Sequence, residues 1–137
     1  MAEQRKVEYR QLDAGYQFPP SGCQVDAATA SAYLGVVEET SHLYWGTGLV
    51  PPMAVAALVM ALLSEHISFP AGAIHVSQEL EFNNTVSTSD ILTSHAGVVR
   101  KQDRGKLCLL TIDLNVFNQA EKEVLTGKTS FVLPKVE

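Results

Sequence analysis

The sequence is poor in cysteine and has no long hydrophobic run. Its two cysteines, Cys23 and Cys108, show no CxxC pair and no Cys/His spacing suited to zinc. We therefore expect no disulfide framework and no metal site, and both thiols are predicted to be buried and reduced. The longest apolar run, Met53 to Leu63, is too short to cross a bilayer, and the polar first ten residues are unlike a secretion signal. These absences predict a cytoplasmic protein with no membrane partner.

Basic residues are also few, with 10 Lys and Arg against 15 Asp and Glu and a net charge of −5. Proteins that bind nucleic acid usually present a basic face, so nucleic acid is not an expected partner. The chain has 137 residues, of which 46% are hydrophobic. A chain of this size and composition can bury a substantial core, which predicts one globular domain over residues 1–137.

Two helices are predicted in the first half of the chain. Asp26 precedes the alanine-rich segment 27–34, and its carboxylate can accept free N–H groups of a helix that ends near Gly35. From Met53 the segment MAVAALVMALLSEH is apolar on nearly every side, and prolines are tolerated at its start. This pattern predicts a central helix that needs covering on most sides. His66 falls in its last predicted turn, where a cation suits the helix dipole.

After Ala73 the hydrophobic period changes to two, which is typical of β-strands. The first predicted strand places four apolar residues on one face, namely Ile74, Val76, Leu80 and Phe82. Further strands are predicted over 91–100, 106–117 and 123–133, with turns at 101–105 and 118–122. Consecutive strands joined by short turns favour an antiparallel meander, so the predicted class is α+β.

Three local patterns resemble those of a known family. Leu12, Gly15 and Phe18, followed by the helix start at Asp26, are similar to its opening strand and first helix. Segment 82–91, FNNTVSTSDI, resembles the family pattern F-x-x-P-V-x-x-G-D, and segment 116–127 resembles a last hairpin. Together they resemble the MaoC-like acyl-CoA dehydratase and enoyl-CoA hydratase family, which has the hot-dog fold.

The resemblance implies a long central helix wrapped by a curved antiparallel sheet. It also implies action on acyl-CoA or acyl-carrier thioesters, by hydration of an enoyl group or by the reverse dehydration. No cofactor is implied beyond the coenzyme A that carries the substrate. Because hot-dog helices are covered by pairing two sheets edge to edge, a homodimer is expected, or a heteromer with a second hot-dog chain.

The family's catalytic Asp and His lie five positions apart in the loop before the central helix, and that pair is not intact here. If His42 takes the place of the histidine, Val37 stands at the aspartate position and Glu38 is one residue out of register. Pro52 stands where a glycine would offer its N–H to the thioester oxygen, and proline has no such donor. These departures resemble the catalytically incomplete N-terminal half of two-hot-dog members.

Five residues are candidates for the site. The helix N-terminus stabilises negative charge, so the amides of Met53 and Ala54 are predicted to bind the thioester oxygen, unless they form an ordinary helix end. His42 with Glu38 is the predicted general base and its carboxylate partner, although a histidine in a polar loop is often only solvated. Tyr44 is predicted to bind substrate or simply to pack.

Two other functions stay open at this point. The chain could be a non-catalytic acyl-binding subunit that completes a heteromeric dehydratase, or a hot-dog thioesterase in which Glu38 or Glu39 activates water. The one basic cluster fits either a solvated hairpin tip or a site for the phosphates of a coenzyme A carrier, and it comprises Arg100, Lys101, Arg104 and Lys106.

Overall fold

The computed structural model describes residues 6–135, and its framework is a five-stranded antiparallel sheet with a helix packed on one face. In chain order the elements are β1 (Val7–Glu8), a 3-10 turn (Tyr9–Gln11), β2 (Ser21–Gln24), α1 (Ala27–Val36), β3 (Leu49–Val50), α2 (Pro52–Ser64), β4 (Ile67–Ser68), β5 (Ile74–Phe82), β6 (Val86–Ser87), β7 (Ile91–Arg104), β8 (Leu107–Phe117) and β9 (Glu123–Pro134). The main sheet has the order β2-β7-β8-β9-β5, and β1–β4 and β3–β6 form two small pairs. The predicted α+β class is confirmed.

Strand β8 lies at the centre of the sheet and contributes five residues to the hydrophobic core. It pairs with β7 on one side and β9 on the other along its whole length. Alternate residues of β8 are almost fully buried, namely Cys108, Leu110, Ile112, Leu114 and Val116. The residues between them are partly exposed on the opposite face. The period-two pattern therefore predicted this strand correctly, because a central strand with one face on a helix alternates strictly.

Helix α2 is the predicted central helix and begins one residue before Met53. Its first residue is Pro52, whose missing N–H costs nothing in a first turn. Five side chains are buried against the rest of the chain, and these are Ala54, Val55, Ala56, Val59 and Leu63. Ala57 and Ala61 stay exposed and line a small cavity of about 160 Å³ beside α1. One chain thus leaves part of this apolar helix uncovered.

Helix α1 forms where the sequence predicted it. The Asp26 carboxylate accepts the Thr29 N–H at 2.8 Å and so caps the helix. The helix passes Gly35 and ends at Val36, and it buries Ala30 and Leu34. A side-chain cap and two buried positions one turn apart are enough to fix this short helix on the core.

Strand β5 differs from its prediction. A β-bulge between His75 and Ser77 shifts the pairing with β9, so the predicted single apolar face is wrong. Ile74 pairs with Val132 and Leu80 pairs with Gly127, which places Ile74 on the face opposite to Leu80. An inserted residue reverses the side-chain alternation beyond it. As the edge strand of the sheet, β5 has every residue exposed except the half-buried Leu80.

The end of α2 is tied to β2 by a histidine. The helix ends at Ser64, and His66 lies two residues beyond it instead of in its last turn. Its imidazole is buried, with Nε2 hydrogen-bonded to Ser21 Oγ, and its ring centroid lies 6.3 Å from that of Phe18. His66 therefore joins two elements of the core instead of facing the helix dipole.

Gly127→Ala is expected to destabilise the fold, because β5 passes very close to the backbone of β9 at this point. An added Cβ would overlap the Glu79 carbonyl oxygen and lie 2.7 Å from Leu80 Cδ2. Overpacking of this kind costs about 1–3 kcal/mol in free energy of unfolding, measurable by chemical denaturation. The matched control is Gly35→Ala in α1, where the added Cβ meets nothing within 4 Å and stability should stay equal or rise. Equal losses at both positions would contradict the steric explanation.

Asp26→Ala is expected to lower the melting temperature by a few degrees near neutral pH, because α1 loses its cap. The hydrogen bond from the Thr29 backbone lowers the pKa of Asp26 below its usual value. Stability from a lowered carboxyl pKa is present above the unfolded pKa and is lost as the pH falls through the folded one. The difference in melting temperature between parent and variant should therefore shrink on acidification, as measured by circular dichroism. Asp13→Ala, at another exposed aspartate, serves as the control.

Candidate functional site

A cavity of about 490 Å³ lies at the N-terminal end of α2. It is formed where β3 pairs with β6, so that the loop before α2 meets the segment after β5. Most of its walls are aliphatic or aromatic, and the lining residues are Leu43, Tyr44, Leu49, Val50, Pro52, Val55, Phe82, Asn83, Asn84, Thr85, Val86 and Val124. A concave, largely apolar site with a few polar groups is the usual form of a small-molecule site.

The loop between α1 and β3 holds Tyr44 in the cavity wall. Thr47 Oγ1 donates to the Leu43 carbonyl at 2.7 Å and can also reach the Tyr44 carbonyl at 3.1 Å. Gly46 and Gly48 adopt φ values of 74° and 76°, which turn the chain back towards β3. Tyr44 itself is half-buried. Local hydrogen bonds and two glycine turns thus fix the backbone that carries this phenol.

The opposite rim of the cavity is fixed by two asparagines. Asn83 Nδ2 donates to the Glu123 carboxylate at 3.1 Å, and Asn84 Nδ2 donates to the Glu123 carbonyl at 2.6 Å. The Asn83 N–H also donates to the Val124 carbonyl at 3.0 Å. These bonds attach the segment after β5 to the start of β9. Residue-level reasoning missed this rim, and only the family resemblance of segment 82–91 pointed to it.

The predicted base pair lies outside the cavity. His42 is exposed in the loop two residues before Tyr44, and it does not line the cavity. Glu38 is also exposed, two residues after the end of α1, with a left-handed φ of 56°. Within residues 6–135 no hydrogen bond or ion pair joins the two side chains. The structure therefore does not bring His42 and Glu38 together in this conformation of the loop.

The predicted pair of amide donors needs a correction. The Ala54 N–H donates to the Pro51 carbonyl at 3.0 Å, and the Val55 N–H reaches the same carbonyl at 3.2 Å. The first turn of α2 is therefore tightened by an i to i−3 bond, which occupies the Ala54 amide. Of the predicted pair, only the Met53 amide is left without a backbone acceptor in the described part of the chain. The Met53 side chain is exposed.

Tyr44 is the predicted site residue that the structure places in the cavity wall. Among the described residues that line the cavity, it also carries the only ionisable side chain. A phenol beside an apolar space can donate one hydrogen bond to a carbonyl group. The arrangement suits binding of a long apolar group that ends in a hydrogen-bond acceptor.

The two thiols lie outside this cavity, in surroundings that favour the protonated form. Burial, with the nearby Asp103 carboxylate, raises the pKa of Cys108 above its usual value. Partial burial, with the negative charge of Glu65, raises the pKa of Cys23. Because the thiolate is the reactive form of cysteine, both environments disfavour nucleophilic chemistry.

Residues 6–135 contain neither a metal-ligand cluster nor a membrane-spanning helix. Over residues 6–135 no group of three His, Cys, Asp or Glu side chains is arranged to hold a metal ion. In the same range no helix is long and apolar enough to cross a membrane.

Comparison with known proteins identifies the fold. No family model matches the chain, and no curated protein is similar in sequence. Among solved structures, R-hydratase PhaJ1 from Pseudomonas aeruginosa is similar with a TM-score of 0.80 and 19% identity, over 96% of this chain and 88% of that one. The MaoC-like dehydratase from Rhodospirillum rubrum gives 0.78 and 20%, over 96% and 99%. The chain has the hot-dog fold.

A third hot-dog relative comes from an assembly of two different chains. The ChsH1-ChsH2 complex from Mycobacterium tuberculosis is similar with a TM-score of 0.73 and 13% identity, over 88% of this chain and 98% of that one. In this hot-dog fold α2 is the central helix, and the sheet β2-β7-β8-β9-β5 packs around it. At these identities the likeness establishes the fold, and the fold expected from the resemblance is confirmed.

Proposed function

We propose that this chain is a MaoC-like hot-dog protein that binds acyl-CoA or acyl-carrier thioesters with the acyl chain in the cavity beside Tyr44. The observation that carries this proposal is the apolar cavity of about 490 Å³ at the start of α2. Small-molecule sites measure roughly 300–1,000 Å³, so the cavity suits a hydrocarbon chain. The helix N-terminus in its wall suits the thioester carbonyl. An R-hydratase and a MaoC-like dehydratase are among its structural neighbours, which supports membership of this group.

The proposed reaction class is hydration of an enoyl thioester, or the reverse dehydration. Negative charge then develops on the thioester oxygen, and a positioned amide stabilises it. In this chain the Met53 amide is the proposed donor, and His42 with Glu38 is the proposed base pair. Both side chains lie outside the cavity, so this mechanism requires the loop over residues 37–48 to close over the substrate.

A second candidate function is favoured by the chemistry of the cavity wall. The Ala54 amide is already bonded to Pro51, and Pro52 has no N–H to offer. The lining residues supply binding surface and one phenol. The second candidate is therefore a non-catalytic acyl-binding subunit, with the Asp/His pair supplied by another hot-dog chain. The two-chain ChsH1-ChsH2 relative supports such an assembly.

The proposed assembly is a homodimer formed along β5. This nine-residue strand is an edge of the sheet, and Ile74, Val76 and Phe82 are 58%, 48% and 39% exposed. An exposed, partly apolar edge strand is a template for pairing with another chain. Two-fold antiparallel pairing would make one continuous sheet from the two copies.

Filling the cavity is expected to abolish acyl binding. Thr85→Trp places a large ring at the exposed rim without changing a buried residue. Because each buried CH₂ contributes about 0.8 kcal/mol, the variant should bind hexanoyl-CoA at least about tenfold more weakly in calorimetric titration. Ser31→Trp, at an exposed position of α1 outside both the cavity and the loop over residues 37–48, is the matched control and should keep the parent affinity. Equal binding by both variants would mean that the acyl chain lies elsewhere.

Turnover separates the two candidate functions. The enzyme hypothesis predicts loss of enoyl absorbance with trans-2-hexenoyl-CoA, and His42→Ala should lower the rate by roughly 100-fold or more if His42 is the base. The control is His95→Ala, at an exposed histidine on β7 that lies outside the cavity. Turnover unaffected by His42→Ala would remove His42 from the mechanism. Binding without any turnover would favour the non-catalytic subunit.

A further inference from the structure

Half of the cations of the chain are gathered at one end of the sheet. We define the hairpin tip as residues 100–106, at the turn between β7 and β8, together with Lys135. It contains five of the 10 Lys and Arg residues and a single acidic residue, Asp103. The tip therefore carries a net charge of +4 in a chain of net charge −5, which leaves −9 on all the remaining residues.

Three of these cations are free to bind an external anion. Lys135 Nζ lies 3.5 Å from the Asp103 carboxylate, and its N–H donates to the Lys106 carbonyl at 2.8 Å. Over residues 6–135 no ion pair is formed by Lys101, Arg104 or Lys106. Unpaired cations on a turn held by backbone hydrogen bonds are suited to phosphate groups.

The tip is remote from the cavity of its own chain. Strand β8 pairs with β9 from Leu107 and Pro134 at the tip to Phe117 and Glu123 beside the cavity. The 11 residues of β8 span roughly 35 Å at about 3.3 Å per residue. The tip therefore lies at the opposite end of the sheet from the opening of that cavity.

Two-fold pairing along β5 would bring the tip of one copy to the cavity end of the other copy. Within one chain Phe82 pairs with Leu125 at the cavity end, and Ile74 pairs with Val132 at the tip end. An antiparallel pair of β5 strands centred near Gln78 sets Phe82 of one copy beside Ile74 of the other. In this arrangement β5 of one copy is separated from β8 of the partner by three strand spacings, across the partner's β5 and β9. This distance is roughly 14 Å.

We infer that the hairpin tip of one copy binds the phosphate groups of the thioester carrier whose acyl chain lies in the cavity of the other copy. This inference rests on the proposed function, because it requires the acyl chain to occupy the cavity. The pantetheine arm between a thioester and its phosphates is comparable in length to the separation across the partner strands. Coenzyme A and a phosphopantetheine carrier protein share this phosphate chemistry, and each binding site is complete only in the dimer.

Mixed dimers test whether the tip acts on the partner's cavity. The tip variant is Lys101→Gln with Lys106→Gln, and the closed-cavity variant is Thr85→Trp. Each pure variant should bind hexanoyl-CoA at least about tenfold more weakly than the parent, since charge-assisted contacts or acyl burial are lost. A dimer with one chain of each kind, isolated with two affinity tags, has one open cavity that faces an intact tip. It should bind one hexanoyl-CoA per dimer with the parent affinity.

Matched ligands and variants isolate the phosphate contact. Hexanoyl-pantetheine, which has no phosphate, should bind the parent and the tip variant equally well. Lys128→Gln, at an exposed lysine on β9 away from the tip, should keep the parent affinity for hexanoyl-CoA. Hexanoyl-phosphopantetheine carries only the phosphate that a carrier protein presents. If the tip variant loses as much affinity for this ligand as for hexanoyl-CoA, the tip binds the phosphate of the pantetheine arm. If the tip variant loses affinity only for hexanoyl-CoA, the tip binds the nucleotide phosphates.

Several outcomes would overturn the inference. A mixed dimer that binds as weakly as the pure tip variant would show that the tip does not serve the partner's cavity. Equal weakening by Lys128→Gln and the tip variant would reveal a general charge effect. Tight binding by a parent protein that light scattering shows to be monomeric would remove the dimeric site and leave the proposed function standing. No binding by the parent would reject the proposed function itself. Leu43→Trp, on another wall of the cavity, replaces Thr85→Trp if that variant does not fold.

Discussion

The structure depends on the burial of one helix that is apolar on nearly every side. Helix α2 packs Val55, Val59 and Leu63 into the core, and the alternating residues of β8 and its neighbours provide the surface that receives them. The same helix exposes Met53, Ala57 and Ala61, because one five-stranded sheet does not enclose it. The cavity lies at the N-terminus of this incompletely covered helix, and β5 leaves a long unpaired edge on the sheet.

Sequence reasoning predicted the elements whose signals are local. The capped helix after Asp26, the apolar helix from Met53 and the strictly alternating β8 all appear where their patterns place them. The face of β5 was predicted wrongly, because the bulge at Val76 is set by pairing with β9 and leaves no mark in the periodicity. The residue pattern did not predict the four-residue β2 for a similar reason, since its partner β7 lies about 70 residues away. Only the family resemblance implied an opening strand before α1.

The candidate site was predictable only in part. Tyr44 was found because it lies close in sequence to the helix start, whereas Phe82, Asn83 and Asn84 reach the cavity from a distant part of the chain. The Ala54 amide was assigned to substrate on a general property of helix ends, but a bond to Pro51 within the first turn takes it. Such details depend on backbone geometry, which residue types alone do not specify.

The two edges of the sheet are unequal, and this limits how far assembly can proceed. β5 has nine residues, whereas β2 at the other edge has four and is followed directly by α1. A two-fold contact along β5 would pair the long edges of both copies and leave only the two short β2 edges at the ends of the joined sheet. In the proposed homodimer, growth would therefore terminate after a single pairing event, and the shortness of β2 would protect the protein from open-ended fibre formation.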